Sequence, residues 1–167
     1  MDNSIIILES LAKIRYPALV WFFTAIYYFE YLFLAVLFVL YYLRIRNSKF
    51  VLTKLVFLII GFIFIYFLKY IVAIPRPYLS AIEKHDFSFP STHMFISGFS
   101  LSIMPAYDLF KYLSYLYFFF LVPTSILYLG LHYVSDMIAG FFIGMAFSFS
   151  TQFIEKFSHR KANRKKH

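Results

Sequence analysis

Long uncharged runs, interrupted by short charged patches, set the rhythm of the chain. From Tyr16 to Leu43 the only charged residue is Glu30. One straight helix over that run would measure about 42 Å, against about 30 Å for the hydrocarbon core of a bilayer. A break near Tyr27-Tyr28 is therefore expected, leaving a short segment and then a span of about 29–45. A second span is expected over about 50–72. Pro75, Pro77 and Pro90, with Glu83, Lys84, His85 and Asp86 between them, mark residues 75–90 as a polar loop. Further spans are expected at 91–107, with Pro105 near its end, at 112–131, and at about 132–153. Asp108 and Lys111 mark a turn between the first two of these. At the other end, residues 4–14 are apolar with Glu9 and Lys13 four apart, the pattern of an amphipathic helix lying at the interface. The pattern predicts an all-α, polytopic membrane bundle of five to six transmembrane helices with an N-terminal interfacial or short helix. Residues 1–154 read as a single membrane-embedded domain, and residues 155–167 as a basic tail.

Composition supports this reading. Hydrophobic residues make up 62% and aromatic residues 24% of the 167, and charged residues only 14%. A soluble domain of that size has too little interior to hide so much apolar surface. Cysteine is absent, which excludes disulfides and thiolate chemistry. The net charge of +8 invites a nucleic-acid partner, but its distribution argues against one. Ten of the sixteen Lys and Arg residues lie in two places: Arg44, Arg46, Lys49 and Lys54, and the tail residues Lys156, Arg160, Lys161, Arg164, Lys165 and Lys166. Such clusters are the mark of cytoplasmic loops and suit anionic lipid head groups. Placing the first cluster in the cytoplasm puts Lys69, His93 and Asp136 on the opposite face, and following the spans returns the tail to the cytoplasm. Asp2 and Glu9 stand where a cleavable signal peptide would be basic, so none is expected.

The polar residues at the span ends carry the chemistry, because charge at membrane depth is costly. Lys69 and Arg76 could clamp a doubly charged anion, Arg with a planar fork and Lys as a point charge. Ser91 and Thr92 precede a span and offer hydroxyls and free backbone N–H groups at a helix start, a cradle for phosphate. His132 and Asp136 are four apart and share a helical face, so Asp136 could hold one ring nitrogen and leave the other as nucleophile or base. His93 remains to protonate a leaving oxygen. Each piece has a plainer reading: an Arg-Pro turn, a helix cap, a structural pair, a snorkelling lysine. Tyr27, Tyr28, Tyr41 and Tyr42 read as interfacial belt residues. His85, His93, His132 and Asp136 could in principle hold zinc, but Lys69 and Arg76 would repel a cation. The whole set on one face is what carries weight.

Lys69-x6-Arg76-Pro77, then Pro90-Ser91-Thr92-His93, then Ser125-x6-His132-x3-Asp136 resembles the tripartite signature of the type 2 phosphatidic acid phosphatase superfamily. That superfamily includes bacterial acid phosphatases and vanadium haloperoxidases, and the resemblance covers residues 50–154. It implies a helical membrane fold, no metal or other cofactor, and a phosphohistidine intermediate. It also implies that His132 is the nucleophile, Asp136 its orienting partner and His93 the general acid, with Lys69, Arg76, Ser91 and Thr92 binding phosphate. Two positions depart from the signature. Thr92 stands where the family usually has Gly, and Ile126 where it has a phosphate-binding Arg, for which Lys84 or His85 are the candidate replacements. The implied activity is hydrolysis of an amphiphilic lipid phosphate within the membrane. Phe87-Ser-Phe-Pro-Ser-Thr-His93 is similar to motifs of polyprenyl-diphosphate phosphatases. Phosphatidic acid and phosphatidylglycerol phosphate are the alternative substrates, and a protein that binds lipid phosphate without cleaving it is the alternative function.

Overall fold

A computed structural model describes residues 3–104 and 108–164 of the chain. Pro105, Lys165 and Lys166 lie outside the described residues, as do the side chains of Arg160, Lys161 and Arg164. The helices in chain order are α1 (Asn3–Lys13), α2 (Pro17–Ile45), α3 (Ser48–Val72), α4 (Thr92–Ser100), α5 (Asp108–Leu116), α6 (Val122–Leu129) and α7 (Val134–Arg164). A π-helical turn, Tyr117–Leu121, joins α5 to α6. Among the described residues four helical stretches are long and apolar enough to cross a membrane: Pro17–Ile45, Ser48–Val72, Leu109–Leu129 and Val134–Phe157.

The break expected near Tyr27-Tyr28 is absent. Pro17 starts α2 at its first turn, where no amide hydrogen is needed, and no further Pro or Gly follows to interrupt its 29 residues. At about 43 Å the helix exceeds the bilayer core, which tilt accommodates. Leu34, Leu37 and Tyr41 pack inward while Leu32, Val36 and Val39 face outward, as expected when lipid takes the place of water around an apolar helix. A left-handed Arg46 (φ 49°) closes α2, and Asn47 caps α3 by accepting from the Lys49 amide. The turn at 117–121 has a local cause: Pro123 cannot donate to the preceding turn, and the Val122 amide reaches back to the Tyr117 carbonyl instead.

The span expected at 91–107 is realised differently. Its helix, α4, has nine residues, all of them buried, and at about 14 Å it is too short to cross by itself. It is packed most closely against α7, where both helices use glycine. A Cβ on Gly144 would collide with the Phe95 carbonyl and lie 2.9 Å from the Phe99 amide nitrogen, and one on Gly98 would collide with the Phe141 carbonyl. Gly140 and Gly144 thus form a small-residue stripe that lets two backbones touch.

The two ends of the bundle differ. At one, Lys54 is fully buried and pairs with Glu155 at 3.0 Å, while Tyr41 donates to the same carboxylate at 2.8 Å. Lys54 therefore ties α3 to α7 and is not one of the head-group cations of its cluster. At the other end, Arg15 Nε donates to the Tyr128 carbonyl at 2.8 Å and Tyr78 donates to Glu9 at 2.8 Å, fastening the N-terminal segment to α6 and to the loop after α3. All the predicted chemistry gathers at this second end.

Candidate active site

Loop 73–91 is held in place by its backbone. The Ser88 amide donates to Ile74, the Ala81 amide to Leu129, and the Ser91 amide to the Asp136 carbonyl, at 2.8, 2.8 and 3.0 Å. Behind it, α6 ends on Gly130, whose φ of 67° turns the chain so that His132 enters the site from a short loop just before α7.

A cavity of about 200 Å³ lies between these elements, lined by Tyr27, Tyr31, Tyr66, Arg76, Lys84, Asp86, Thr92, His93 and His132. The two histidines of the second and third motifs therefore face one space. Arg76 Nη1 lies 3.2 Å from His132 Nε2. A guanidinium can only donate, so Nε2 carries a lone pair and the ring proton sits on Nδ1. Nδ1 lies 3.6 Å from Asp136 Oδ2, and the Ser88 hydroxyl, 3.4 Å from Nδ1, donates to the same oxygen. The Tyr133 amide adds a bond to it at 2.9 Å. Burial pulls the His132 imidazole down to about 4, with Asp136 opposing the shift and Arg76 and Lys69 adding to it. At neutral pH His132 is thus an uncharged imidazole with its free nitrogen beside a cation.

His93 is arranged in parallel. Its Nδ1 bonds the Glu30 carboxylate, which is wholly buried on α2 and also receives the Ser97 hydroxyl at 3.5 Å. The imidazole lies against Tyr27, ring centroids 3.8 Å apart, and edge-on to Tyr31 at 5.4 Å. Each histidine therefore has one nitrogen held by a buried carboxylate system.

Both cations of the first motif meet Asp86. Arg76 reaches its carboxylate at 2.7 and 3.0 Å, and Lys69 at 3.4 Å. Against the upward push of partial burial, the Arg76 guanidinium and Lys69 hold this carboxyl below the usual range. Lys69 itself is buried and donates to the Phe87 carbonyl at 2.6 Å, so it stands behind the cavity wall. Thr92 lines the cavity, whereas the Ser91 hydroxyl caps α4 by accepting from Met94. Ile126 is completely buried in the apolar core, and Ser125 bonds the Val122 carbonyl within its own helix. His85 is exposed and lies 4.0 Å from Glu83, away from the histidines. Among the described residues no three His, Asp or Glu side chains gather as a metal-ligand set.

Glu30, Tyr27, Ser88 and Asp86 are the site residues that sequence reasoning passed over. For Glu30 a signal existed: it is the one charge in a long apolar run. Of the four tyrosines expected in the interfacial belt, Tyr27 and Tyr41 are buried, while Tyr28 and Tyr42 face outward.

The PAP2 superfamily model matches residues 50–158. A search of curated proteins finds no match. Among solved structures, the fold is similar to a transmembrane PAP2 type phosphatidylglycerolphosphate phosphatase from Bacillus subtilis. The TM-score is 0.76 at 20% identity, covering 92% of this chain and 85% of that one. It is also similar to Aquifex aeolicus LpxE, with a TM-score of 0.70 at 22% identity, covering 87% and 92%.

Proposed function

Because the chain belongs to the PAP2 superfamily, we propose that it is a membrane lipid phosphatase working through a phosphohistidine, without metal, and favouring a polyprenyl diphosphate. The observation that carries this reading is the pair of histidines on one cavity, each braced by a buried carboxylate, with Arg76 beside the free nitrogen of one of them. In this mechanism His132 Nε2 attacks the terminal phosphorus and Nδ1–H is held toward Asp136 as the ring becomes cationic. Arg76 and Thr92, with Lys69 behind, stabilise the charge on the transferring phosphoryl group. Asp86 yields its place on Arg76 to the incoming phosphate. His93 gives a proton to the leaving oxygen, and Glu30 is its positioning residue. A water activated by His93 then cleaves the N–P bond and releases inorganic phosphate.

The basic loop after α2 and the basic tail support a cytoplasmic placement of that end, which puts the site on the non-cytoplasmic face of the cell membrane. The tail cations would meet anionic lipid there. Similarity to a phosphatidylglycerolphosphate phosphatase makes that lipid the second substrate to compare, with phosphatidic acid the third.

The test is phosphate release in detergent micelles with EDTA present, offering all three lipids side by side and using His132→Ala as the blank. Release from the diphosphate above the others, abolished in the variant, is expected. Release that needs added metal, or survives His132→Ala, would remove the mechanism. Release from none would leave a lipid-phosphate-binding protein. Presenting the same lipids to intact spheroplasts reads the face, since an outward site hydrolyses them without lysis.

A further inference from the structure

Three cations approach the catalytic cavity, and they do not do the same thing. Lys69 and Arg76 are both bonded to Asp86, and Arg76 lies against the His132 nitrogen that would attack. Lys84 is on the other flank. Its ammonium lies 5.1 Å from the Tyr27 ring centroid and 5.2 Å from that of Tyr28, and Tyr27 in turn packs on His93. Among the described residues no carboxylate comes within ion-pairing distance of it, so aromatic faces alone hold its charge. Tyr27 is buried and Tyr28 exposed, which sets the ammonium at the boundary between the cavity and the outer surface of α2. A substrate whose tail stays in the bilayer must lead its head group across that boundary.

We propose that Lys84 binds the leaving group, and that the substrate class it selects is a lipid diphosphate, whose leaving group is itself a phosphate. This rests on the assignment of His132 as nucleophile and His93 as acid. As His132 Nε2 forms its bond to the terminal phosphorus, the bond from that phosphorus to the bridging oxygen breaks. The electron pair stays on the bridging oxygen, which takes the proton of His93 and departs as lipid monophosphate. That product carries negative charge on its remaining oxygens, in a cavity partly closed off from solvent, where a cation is worth more than in bulk water. A monoester loses a neutral alcohol once His93 has protonated it, and such a leaving group gives Lys84 nothing to pair with. Neighbouring His85 is excluded because its side chain is exposed and does not line the cavity, and position 126 brings no cation because Ile126 is sealed in the core.

Farnesyl diphosphate and farnesyl monophosphate share one tail and separate the two cases. With Lys84→Gln the kcat/KM for the diphosphate should fall about tenfold or more, and by clearly more than that for the monophosphate, while Lys84→Arg should keep most of both. Equal losses on the two substrates, or no loss on either, would overturn the proposal while leaving the phosphatase reading intact. Thermal melts matching wild type exclude misfolding of the loop as the cause of a loss. Wild-type protein that releases phosphate from neither compound would remove the phosphatase reading and this inference with it.

Discussion

The imidazole of His132 has its Nε2 lone pair beside an arginine that can only donate, and its other nitrogen near a carboxylate that is itself bonded by Ser88 and Tyr133. In the proposed mechanism His132 must be unprotonated to attack, so its pKa sets the acid limb of activity. With that value pulled down to about 4, protonation of His132 should cause no loss of kcat/KM on falling from pH 7, and a drop of about tenfold per unit should set in only below about 4. A limb near the ordinary histidine value of about 6.5 would contradict the buried geometry. The sign for stability follows the same shift. A folded-state pKa below the unfolded one favours folding above about pH 6.5 and loses that contribution as pH falls toward about 4. Melts at each pH therefore mark where the rate profile is readable. The motif residues His93, His132, Asp136, Lys69 and Arg76 were legible in sequence, because charge at span ends is rare enough to stand out. The carboxylates that complete the site were not. Asp86 looked like loop polarity, and the pairing of Glu30 with His93 joins residues 63 apart in the chain, which no local spacing reveals.

Packing of α4 against α7 decides where Thr92 and His93 stand, since α4 carries both at its start. The contact depends on glycine at 98, 140 and 144, where a Cβ would run into backbone on the facing helix. Backbone cannot move aside as a side chain end can, so Gly144→Ala should destabilise by about 1–3 kcal/mol and lower activity together with the detergent melting temperature. A variant that melts and turns over like wild type would show that the two helices are not in contact there. At this scale the long apolar helices were readable from hydropathy alone. The interior nature of α4 was not, since a short buried helix and part of a span share the same composition; burial separates them only once α7 is in place. No break occurs in α2 because a helix longer than the bilayer core can tilt, and no Pro or Gly after Pro17 is there to interrupt it.

Across the whole molecule, the two ends of the bundle hold different ion pairs. Lys54 with Glu155 joins α3 to α7 at one end, and the Asp86 cluster joins the loop to α3 at the other. Charge clusters along the sequence already separated these ends, although Lys54 proved to be structural. The family likeness and the helical membrane fold were both legible from the three motifs and the apolar spans. The central claim is that phosphate passes through His132. Its most direct measurement is a rapid acid-free quench of the enzyme with lipid diphosphate labelled at the terminal (β) phosphorus, followed by denaturing gel analysis under alkaline conditions, which preserve phosphohistidine. Labelled protein is expected in wild type, lost on mild acid treatment and absent in His132→Ala. Label that persists in His132→Ala, or wild-type turnover with no labelled protein at any time, would contradict it.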